Sequence, residues 1–392
     1  MVRQDIIFFI LIILYTFFNG NYKKELISPF VFFAPVIFCI LNIKYIKKLN
    51  KNISILLCLL LTYPFMTNYS YYIDNINEYI KYISNILFIM FFPYIIIKRM
   101  SKENRRKILK VYVGIVKLNI VITIIQFLLI KKGINHNFFW QYATRPSGLL
   151  AEPSFQFSLY LPLIYIFLKT NFISNIWKIL IYISLFITMS FSNLVCCLLL
   201  IISDYRNIWK NIKTVLIFIP ILFIVLAINL GSGNNKLNDI ENINRERLKK
   251  SMRLETGSAK IRLIRPIRIF LENENILFGV GIKNEKKIIE LIKKTNYDGE
   301  SVYEVSPLYM NGFFKEFIFF GAIGGILLNL FYYILFGKNC MLVFIAFFLL
   351  RVSGGTGYNS GIILIYIILI NIVKSIIEKS GESNLCIKDK QK

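Results

Sequence analysis

Long apolar stretches recur along this chain and limit what it can fold into. Each runs for about 15 to 25 residues, which is what a helix rising about 1.5 Å per residue needs to cross a hydrocarbon core of roughly 30 Å. Hydrophobic residues make up 56% of the 392 positions, which exceeds the share in an ordinary soluble domain. The alternating pattern of an outer-membrane barrel is missing. We therefore predict an all-α polytopic membrane protein.

The stretches predict about twelve transmembrane helices. Their approximate bounds are 5–19, 28–43, 53–68, 82–97, 111–130, 154–168, 177–190, 191–204, 213–230, 314–336, 339–350 and 361–377. Short connectors rich in lysine and arginine tend to stay in the cytoplasm. Connector 98–110 (KRMSKENRRKILK) is strongly basic, whereas 69–80 (YSYYIDNINEYI) contains no lysine or arginine. We therefore place 69–80, 131–153 and 231–312 outside and the 378–392 tail in the cytoplasm.

Whether residues 177–204 form one span or two decides on which side of the membrane every later segment lies. A single helix of this length would measure about 42 Å, which is longer than one crossing requires. A break at the polar sequence SFSN, residues 190–193, gives two short spans and returns the C-terminal tail to the cytoplasm. We predict that break. We expect it to face protein or a water-filled cavity, because unsatisfied backbone groups cannot face lipid.

The net charge of +25 does not indicate a nucleic-acid-binding protein. Lysine and arginine concentrate in the connectors and in one long polar segment, as membrane topology requires, rather than on a surface that could follow DNA. The six cysteines show no metal-binding spacing and no disulfide framework. We expect no metal, no cofactor and no nucleic-acid partner.

The long polar segment is expected to fold as one ordered insertion on the outside. DIENINRERLKKSMR indicates a polar helix, and SAKIRLIRPIRIFLENE indicates an amphipathic helix that is broken or begins at Pro266. NEKKIIELIKKTN indicates a short amphipathic helix in which Glu290 can pair with Lys294. The apolar faces of these helices should pack on the membrane bundle. We divide the chain into a first bundle part (1–230), the insertion (231–312), a last bundle part (313–377) and a tail (378–392).

Two charged residues stand in the sequence RPSGLLAEPS, just before the span that begins near residue 154. Glu152 lies where the positive end of the following helix favours a carboxylate, and Arg145 can extend to the membrane surface. A purely structural role therefore accounts for both residues. The other interpretation is a polar site at the outer edge of the bundle.

Three arginines in the long external segment favour that second interpretation. Arg262, Arg265 and Arg268 recur every third residue, so on one helix they would spread over about 120° of its side. Guanidinium groups are well shaped to grip phosphate oxygens with paired donors. Because these arginines lie on the same predicted side of the membrane as Arg145, we expect them to converge with it on one anionic ligand.

Three local patterns make the sequence similar to a known family, the O-antigen polymerases, which are Wzy-type polymerases of bacterial surface polysaccharides. RPSGLLAEPS resembles their R-x-S-G-x-x-x-E-P-S/N element before a span. GSAKIRLIRPIRIFLENENILFGVG resembles their S-x-R…F…N-x-L-x-G-x-G element, and YMNGFFKEFIFFGAIGGIL resembles the span that follows. With about twelve spans and one large external loop, the resemblance covers most of the chain.

The resemblance implies a metal-independent glycosyltransferase with a GT-C-like bundle in the bacterial cytoplasmic (inner) membrane, its active site facing the periplasm or the cell exterior. The donor would be a growing glycan on undecaprenyl pyrophosphate, and the acceptor would be one lipid-linked repeat unit. Besides membrane lipids, a chain-length regulator and a flippase would be its partners.

The resemblance also gives roles to the matching residues. Arg145, Arg262 and Arg265 would face the leaving diphosphate, because developing negative charge requires cations. Glu152 would accept the proton of the attacking hydroxyl or orient Arg145. The candidates for substrate binding are Ser147, Ser154, Arg268 and Asn311.

Two other functions share parts of this pattern. An O-antigen ligase usually uses a histidine in its large external loop, whereas the single histidine here is His136, so a polymerase is favoured. A lipid-linked oligosaccharide flippase or another transporter would place ionisable residues inside its spans. The predicted spans contain few such residues, and Glu316 lies near the outer end of its span.

Three glycine-rich sequences predict local structure. Gly279 and Gly281 in LFGVGI indicate a tight turn. GAIGG, Gly321 to Gly325, indicates a close helix approach. RVSGGTGYNSG, Arg351 to Gly361, indicates an external turn.

Overall fold

The structure is a computed structural model. It describes residues 51–132, 145–150, 156–170, 172–188, 190–210, 264–294, 310–337, 341–353 and 361–380. These residues are mostly helical, and no strand occurs among them. The all-α part of the predicted fold class is therefore confirmed for the described part of the chain.

Nine of the twelve described helices overlap the predicted apolar stretches, and α2, α8 and α9 lie in segments that were predicted to be external. In chain order they are α1 (Lys51–Thr67), α2 (Tyr69–Asp74), α3 (Ile76–Arg99), α4 (Lys102–Lys131), α5 (Gln156–Lys169), α6 (Asn175–Ile187), α7 (Phe191–Lys210), α8 (Arg265–Leu271), α9 (Glu285–Lys294), α10 (Gly312–Tyr332), α11 (Met341–Ser353) and α12 (Gly361–Ser380). A π-helical turn, Tyr333–Gly337, continues α10.

Two of the described helices are long and apolar enough to cross a membrane, namely Lys102–Lys131 and Gly312–Leu335. Shorter apolar helices occupy Ser54–Thr67, Gln156–Lys169, Asn175–Ile187, Ser192–Asp204, Met341–Val352 and Ile365–Ile376. These helices agree with a membrane protein. The number of twelve spans stays a prediction, and the predicted spans 5–19, 28–43 and 213–230 lie outside the described residues.

Polar side chains set the ends of α4. The Ser101 hydroxyl accepts a hydrogen bond from the backbone N–H of Asn104 at 3.3 Å, which satisfies one of the free donors at the helix start. Glu103 lies in the first turn and Lys131 in the last turn. Both charges complement the helix dipole, so the sequence itself stabilises the two ends of this 30-residue helix.

The predicted break between the two short spans is confirmed. α6 ends at Ile187, and α7 begins at Phe191. Asn193 joins the break to α5, because its Oδ1 accepts the N–H of Phe157 at 3.1 Å and its Nδ2 donates to Thr188 Oγ1 at 2.8 Å. Thr188 and Asn193 are fully buried. The break therefore faces protein, as the cost of unsatisfied backbone in lipid requires.

The described residues form two compact units. One contains the described residues between 100 and 210 and those between 368 and 380. In it, α5 packs against α7, and α6 packs against α4 and α7. The other contains the described residues between 51 and 99 and those between 264 and 367. In it, α10 packs against α1, α8 and α11.

The polar segment that was predicted to lie outside packs on α10, as expected. α8 runs from Arg265 to Leu271 with Pro266 in its first turn. The ring of Phe270 meets the ring of Phe317 of α10 edge to face, with centroids 5.9 Å apart. The predicted amphipathic helix at 285–294 is confirmed as α9, and its buried residues are Ile288, Leu291 and Ile292. DIENINRERLKKSMR lies outside the described residues.

The predicted pairing of Glu290 with Lys294 is wrong. The Lys294 ammonium lies 2.8 Å from a Glu274 carboxylate oxygen, and Glu290 pairs with Lys287 at 3.7 Å. Glu274 follows α8 and comes alongside the end of α9, a tertiary contact that spacing within one helix cannot predict. Its hydrogen bond and its charge raise the pKa of Lys294.

Candidate functional site

The RPSG turn, residues 145–150, has a defined conformation and packs against α4. Its backbone closes through a hydrogen bond from the N–H of Leu150 to the carbonyl of Ser147 at 3.2 Å. Gly148 has a φ of +67°, a conformation that glycine adopts without strain. A Cβ on Gly148 would lie 2.2 Å from Asn119 Oδ1 and 2.6 Å from Thr123 Oγ1. The turn therefore lies directly against α4, and glycine is required there.

Two buried amide side chains of α4 hold the turn by its backbone. Gln126 Oε1 accepts the N–H groups of Ser147 at 2.9 Å and of Gly148 at 2.7 Å, and Gln126 Nε2 donates to the carbonyl of Gly148 at 2.9 Å. Asn119 Oδ1 accepts the N–H of Leu149 at 2.8 Å. Both amides are almost wholly buried. The buried backbone groups of the turn therefore form their hydrogen bonds with side chains instead of water.

The amide network extends from the turn into the neighbouring helices. Asn119 Nδ2 donates to the Tyr160 hydroxyl of α5 at 2.9 Å, and that hydroxyl lies 3.2 Å from the Ser184 hydroxyl of α6. Gln156 at the start of α5 donates through Nε2 to Thr123 Oγ1 at 3.0 Å. The position of the turn is therefore fixed by three helices, and a side chain carried on it has a defined direction.

Removing the amide of Gln126 should loosen the turn. In Gln126→Leu, two buried N–H groups and one buried carbonyl lose their partners, and each unsatisfied group costs about 1 to 3 kcal/mol. We expect a clearly lower midpoint of thermal unfolding in detergent micelles. Gln126→Glu is the matched control, because a neutral carboxyl still offers an acceptor oxygen and a donor hydroxyl. Equal midpoints for the leucine variant and the wild type would refute this role of Gln126.

Arg265 lies in a second ordered part of the structure, formed by α8 and the loop that follows it. This residue begins α8 and is fully buried. After α8 the chain forms the docked loop, which we define as residues 273–284. Gly279 and Gly281 have φ values of +78° and +91°, so the predicted tight turn is confirmed. The buried arginine thus precedes a loop of fixed conformation.

The docked loop inserts into a break in α10. At Gly321, φ is +69° and ψ is −177°, so the helix is interrupted inside its apolar sequence. In a regular helix the carbonyl of Ile318 would accept the N–H of Ala322, and that of Phe319 would accept the N–H of Ile323. The loop supplies substitute partners for all four groups. Its role is therefore to complete a broken helix.

Four backbone hydrogen bonds make this connection. They are Val280 N–H to Ile318 C=O at 3.0 Å, Gly281 N–H to Phe319 C=O at 3.0 Å, Ala322 N–H to Ile276 C=O at 2.8 Å and Ile323 N–H to Leu277 C=O at 3.3 Å. A Cβ on Gly279 would lie only 2.3 Å from the Gly321 nitrogen. The contact is backbone against backbone, and only glycine permits it. The prediction of a close helix approach at GAIGG is confirmed at Gly324, where a Cβ would lie 2.9 Å from the Tyr63 ring of α1.

Tyrosines of the 69–80 connector cover the docked loop. The Tyr71 hydroxyl donates to the carbonyl of Ile282 at 2.9 Å, and the N–H of Ile282 donates to the Tyr72 hydroxyl at 2.9 Å. Lys283 forms an ion pair with Glu78 at 2.8 Å. Partial burial acts to raise the pKa of Glu78, but the hydrogen bonds and charges of Lys283 and Lys81 outweigh it, and the pKa is lowered. Glu78 is therefore ionised at neutral pH and attracts Lys283.

A buried ion pair joins α10 to α11. Arg351 Nη2 pairs with Glu316 Oε2, and Arg351 Nη1 donates to Asn329 Oδ1 at 2.9 Å. The Tyr332 hydroxyl donates to the other Glu316 oxygen at 3.1 Å. Glu316 and Arg351 are both fully buried. Arg351 lies in the last turn of α11, so its assignment to an external turn is wrong, because the helix continues beyond the apolar run.

Seven of the eight predicted site residues divide into three groups. Those outside the described residues are Glu152, Ser154 and Arg262. Arg145 and Ser147 both lie in the RPSG turn, where Arg145 is half-buried and Ser147 is fully buried. In α8, Arg265 is buried and Arg268 is exposed, so these two arginines have different surroundings. The convergence of Arg145 with the arginines of the external segment stays a prediction.

Asn311 has a structural role besides the predicted contact with substrate. Its Oδ1 accepts the N–H of Phe314 at 2.8 Å and caps the start of α10. Such a cap stabilises a helix by about 1 kcal/mol. The predicted contact of Asn311 with substrate would have to form in addition to its hydrogen bond from the N–H of Phe314.

The buried amides that hold the RPSG turn were not among the predicted site residues. Asn119, Thr123 and Gln126 stand four and three residues apart inside an otherwise apolar stretch, so they share one helix face. Polar residues inside a predicted span indicate a buried partner or a functional site. This spacing was a signal that could have found them.

Comparison with protein-family models, with curated proteins and with solved structures finds no match for this chain.

Proposed function

We propose that this protein polymerises undecaprenyl-pyrophosphate-linked repeat units into a bacterial surface polysaccharide, by metal-independent glycosyl transfer at the outer face of the inner membrane. The proposal includes about twelve spans with a cytoplasmic N-terminus. The observation that carries it is the construction of the two arginine-bearing motifs. The RPSG turn of Arg145 is held by buried amides, and the fully buried Arg265 precedes a loop inserted into a helix.

The reaction requires cations placed against the leaving diphosphate and a base placed beside the attacking hydroxyl. The hydroxyl oxygen of the acceptor sugar forms a bond to the anomeric carbon of the donor, while the bond from that carbon to the diphosphate breaks. The proton of the hydroxyl passes to Glu152, and the electron pair leaves with undecaprenyl diphosphate. In this scheme Arg145, Arg262 and Arg265 stabilise the charge on the leaving group. Ser154, Arg268 and Asn311 contact the diphosphate or the sugars.

Rigid support of the cations favours this chemistry. Electrostatic stabilisation of a transition state is effective when the charged groups are held before the reaction begins. The predicted external connector 69–80 and the external docked loop contact each other through Tyr71, Tyr72 and Ile282. This contact supports the topology that we propose, in which both segments lie outside the membrane.

A transporter of lipid-linked oligosaccharides is the second candidate, because buried ion pairs occur within apolar helices. Glu316 pairs with Arg351, and Lys178 lies 2.7 Å from Asp204. Ionisable residues inside spans often mark transport pathways. Glu316, Arg351 and Lys178, however, lie close to the ends of their helices, whereas transporters place their charges near the bilayer midplane. The polymerase is therefore favoured.

Deleting the gene in the bacterium that carries it tests both functions. We expect the surface glycan on a gel to collapse from long chains to single repeat units that have reached the outer face. Plasmid-borne wild-type protein should restore the long chains. A full-length glycan in the deletion strain would reject the polymerase. Accumulation of single lipid-linked units at the cytoplasmic face would support the transporter instead.

A further inference from the structure

Two fully buried polar atoms near the RPSG turn have no hydrogen-bond partner in the described part of the chain. They are the Ser147 hydroxyl oxygen and the Gln156 amide oxygen. The exposed fraction of each residue is 0%. Buried polar groups in native proteins nearly always have a partner, so each exception requires an explanation. Two such exceptions in one place indicate that a ligand group completes them.

The elements that carry the two atoms both meet α4 near Thr123. Gln156 Nε2 lies 3.0 Å from the Thr123 hydroxyl, so the oxygen of the same amide is close to that hydroxyl. On the other side, a Cβ on Gly148 would lie 2.6 Å from Thr123 Oγ1. Ser147 directly precedes Gly148, and its N–H is bonded to Gln126 at 2.9 Å. The start of α5 and the RPSG turn therefore meet at the same point of α4.

The surrounding groups are already occupied by protein partners. Gln126 uses its oxygen and its nitrogen on the turn, and Asn119 uses both ends of its amide. Thr123 donates to the carbonyl of Asn119 at 2.7 Å and accepts from Gln156. What remains is one hydroxyl, which can donate or accept, and one amide oxygen, which can only accept.

This pair of groups selects the chemistry of its ligand. An amide oxygen requires a donor, and a phosphate at neutral pH has mainly acceptor oxygens, so a phosphate would leave Gln156 unsatisfied. A sugar hydroxyl can donate to the Gln156 oxygen and accept from Ser147 at the same time. The cluster has no charge of its own and lies beside the half-buried Arg145. A neutral sugar next to an anionic group fits this arrangement.

We propose that Ser147 and Gln156 bind a hydroxyl group of the acceptor repeat unit. The inference rests on the proposed function and extends it, because it separates a neutral sugar-binding side of the RPSG turn from the side that carries Arg145. Without the acceptor, the two buried atoms reduce the stability of the protein. Binding of the sugar hydroxyl compensates for that loss.

Purified protein provides the test. The substrates are a polymerised donor at fixed concentration and the lipid-linked repeat unit extracted from the deletion strain as the varied acceptor. Ser147→Ala and Gln156→Met are expected to raise KM for the acceptor about tenfold, the effect of losing one hydrogen bond, while kcat changes little. Because Ser147→Ala removes an unsatisfied hydroxyl, its unfolding midpoint without acceptor should equal or exceed that of the wild type.

Ser203→Ala is the matched control, since Ser203 of α7 is also buried but its hydroxyl has a partner in the carbonyl of Leu200 at 2.7 Å. It should lower the unfolding midpoint and leave KM unchanged. An unchanged KM together with a lowered midpoint in Ser147→Ala would overturn the inference, because a bound structural water then satisfies both atoms. Active wild-type protein with that result leaves the polymerase standing, whereas inactive wild-type protein refutes the polymerase and the sugar site together.

Discussion

Arg145→Ala is expected to reduce repeat-unit polymerisation by at least about 100-fold, as the loss of a charge-stabilising group does in other enzymes. Arg265→Lys should have a comparable effect, because lysine keeps the positive charge but loses the paired donors that grip a phosphate. Lysine is used at this position to avoid an empty space at a fully buried residue. The measurement is the chain length of glycan made by purified protein from lipid-linked repeat units.

Exposed cations of the same two units serve as controls. Arg106→Ala in α4 and Lys286→Ala in α9 each remove one positive charge from an exposed side chain, and both variants should polymerise at the wild-type rate. Full activity of Arg145→Ala at normal expression would remove Arg145 from the mechanism. The same result for Arg265→Lys would reduce Arg265 to a buried structural residue.

Gly279→Ala is expected to expel the docked loop from α10. The added Cβ would lie 2.3 Å from the Gly321 nitrogen and 2.5 Å from the Phe319 carbonyl oxygen, and backbone atoms cannot move aside as a side chain can. Losing four hydrogen bonds costs about 4 kcal/mol, and the left-handed conformation adds about 1 kcal/mol for alanine. This sum is comparable to the whole stability of many proteins. We expect most of the protein to aggregate on extraction from the membrane.

Gly114→Ala provides a matched comparison. Gly114 lies within α4, and no atom lies within 4 Å of the position that its Cβ would occupy. Alanine is the better helix former there, so this variant should be at least as stable as the wild type. The measurement is the size-exclusion profile of each variant in detergent, which shows whether the protein is monodisperse or aggregated. A monodisperse Gly279→Ala protein with unchanged unfolding midpoint would show that the loop insertion contributes nothing to stability.

Local patterns predicted the elements whose causes are local. Pro266 marks the first turn of α8 because its ring suits a helix start. Gly279 and Gly281 predict a turn because few other residues adopt such φ values. The break before α7 followed from charge on distant connectors, combined with the length that one span allows.

Long-range contacts account for what the sequence did not predict. GAIGG is compatible with close helix packing and with a broken helix, and the choice at Gly321 depends on a partner segment that comes from another part of the chain. Arg351 and Glu316 stand 35 positions apart, so neither indicates the other in the sequence. The same holds for Gln126 and the RPSG turn, which only the fold brings together.

The break in α10 has a consequence for biosynthesis. The segment 276–281 leaves the ribosome about 40 residues before its partners at 318–323, which is a delay of seconds at ordinary rates of synthesis. In the proposed topology the amide groups of this segment stay in water during that interval, and α10 enters the bilayer with two carbonyls and two N–H groups still unpaired. In that topology the nascent chain has to complete this helix from outside, after translocation, before the protein can leave the insertion machinery in its final form.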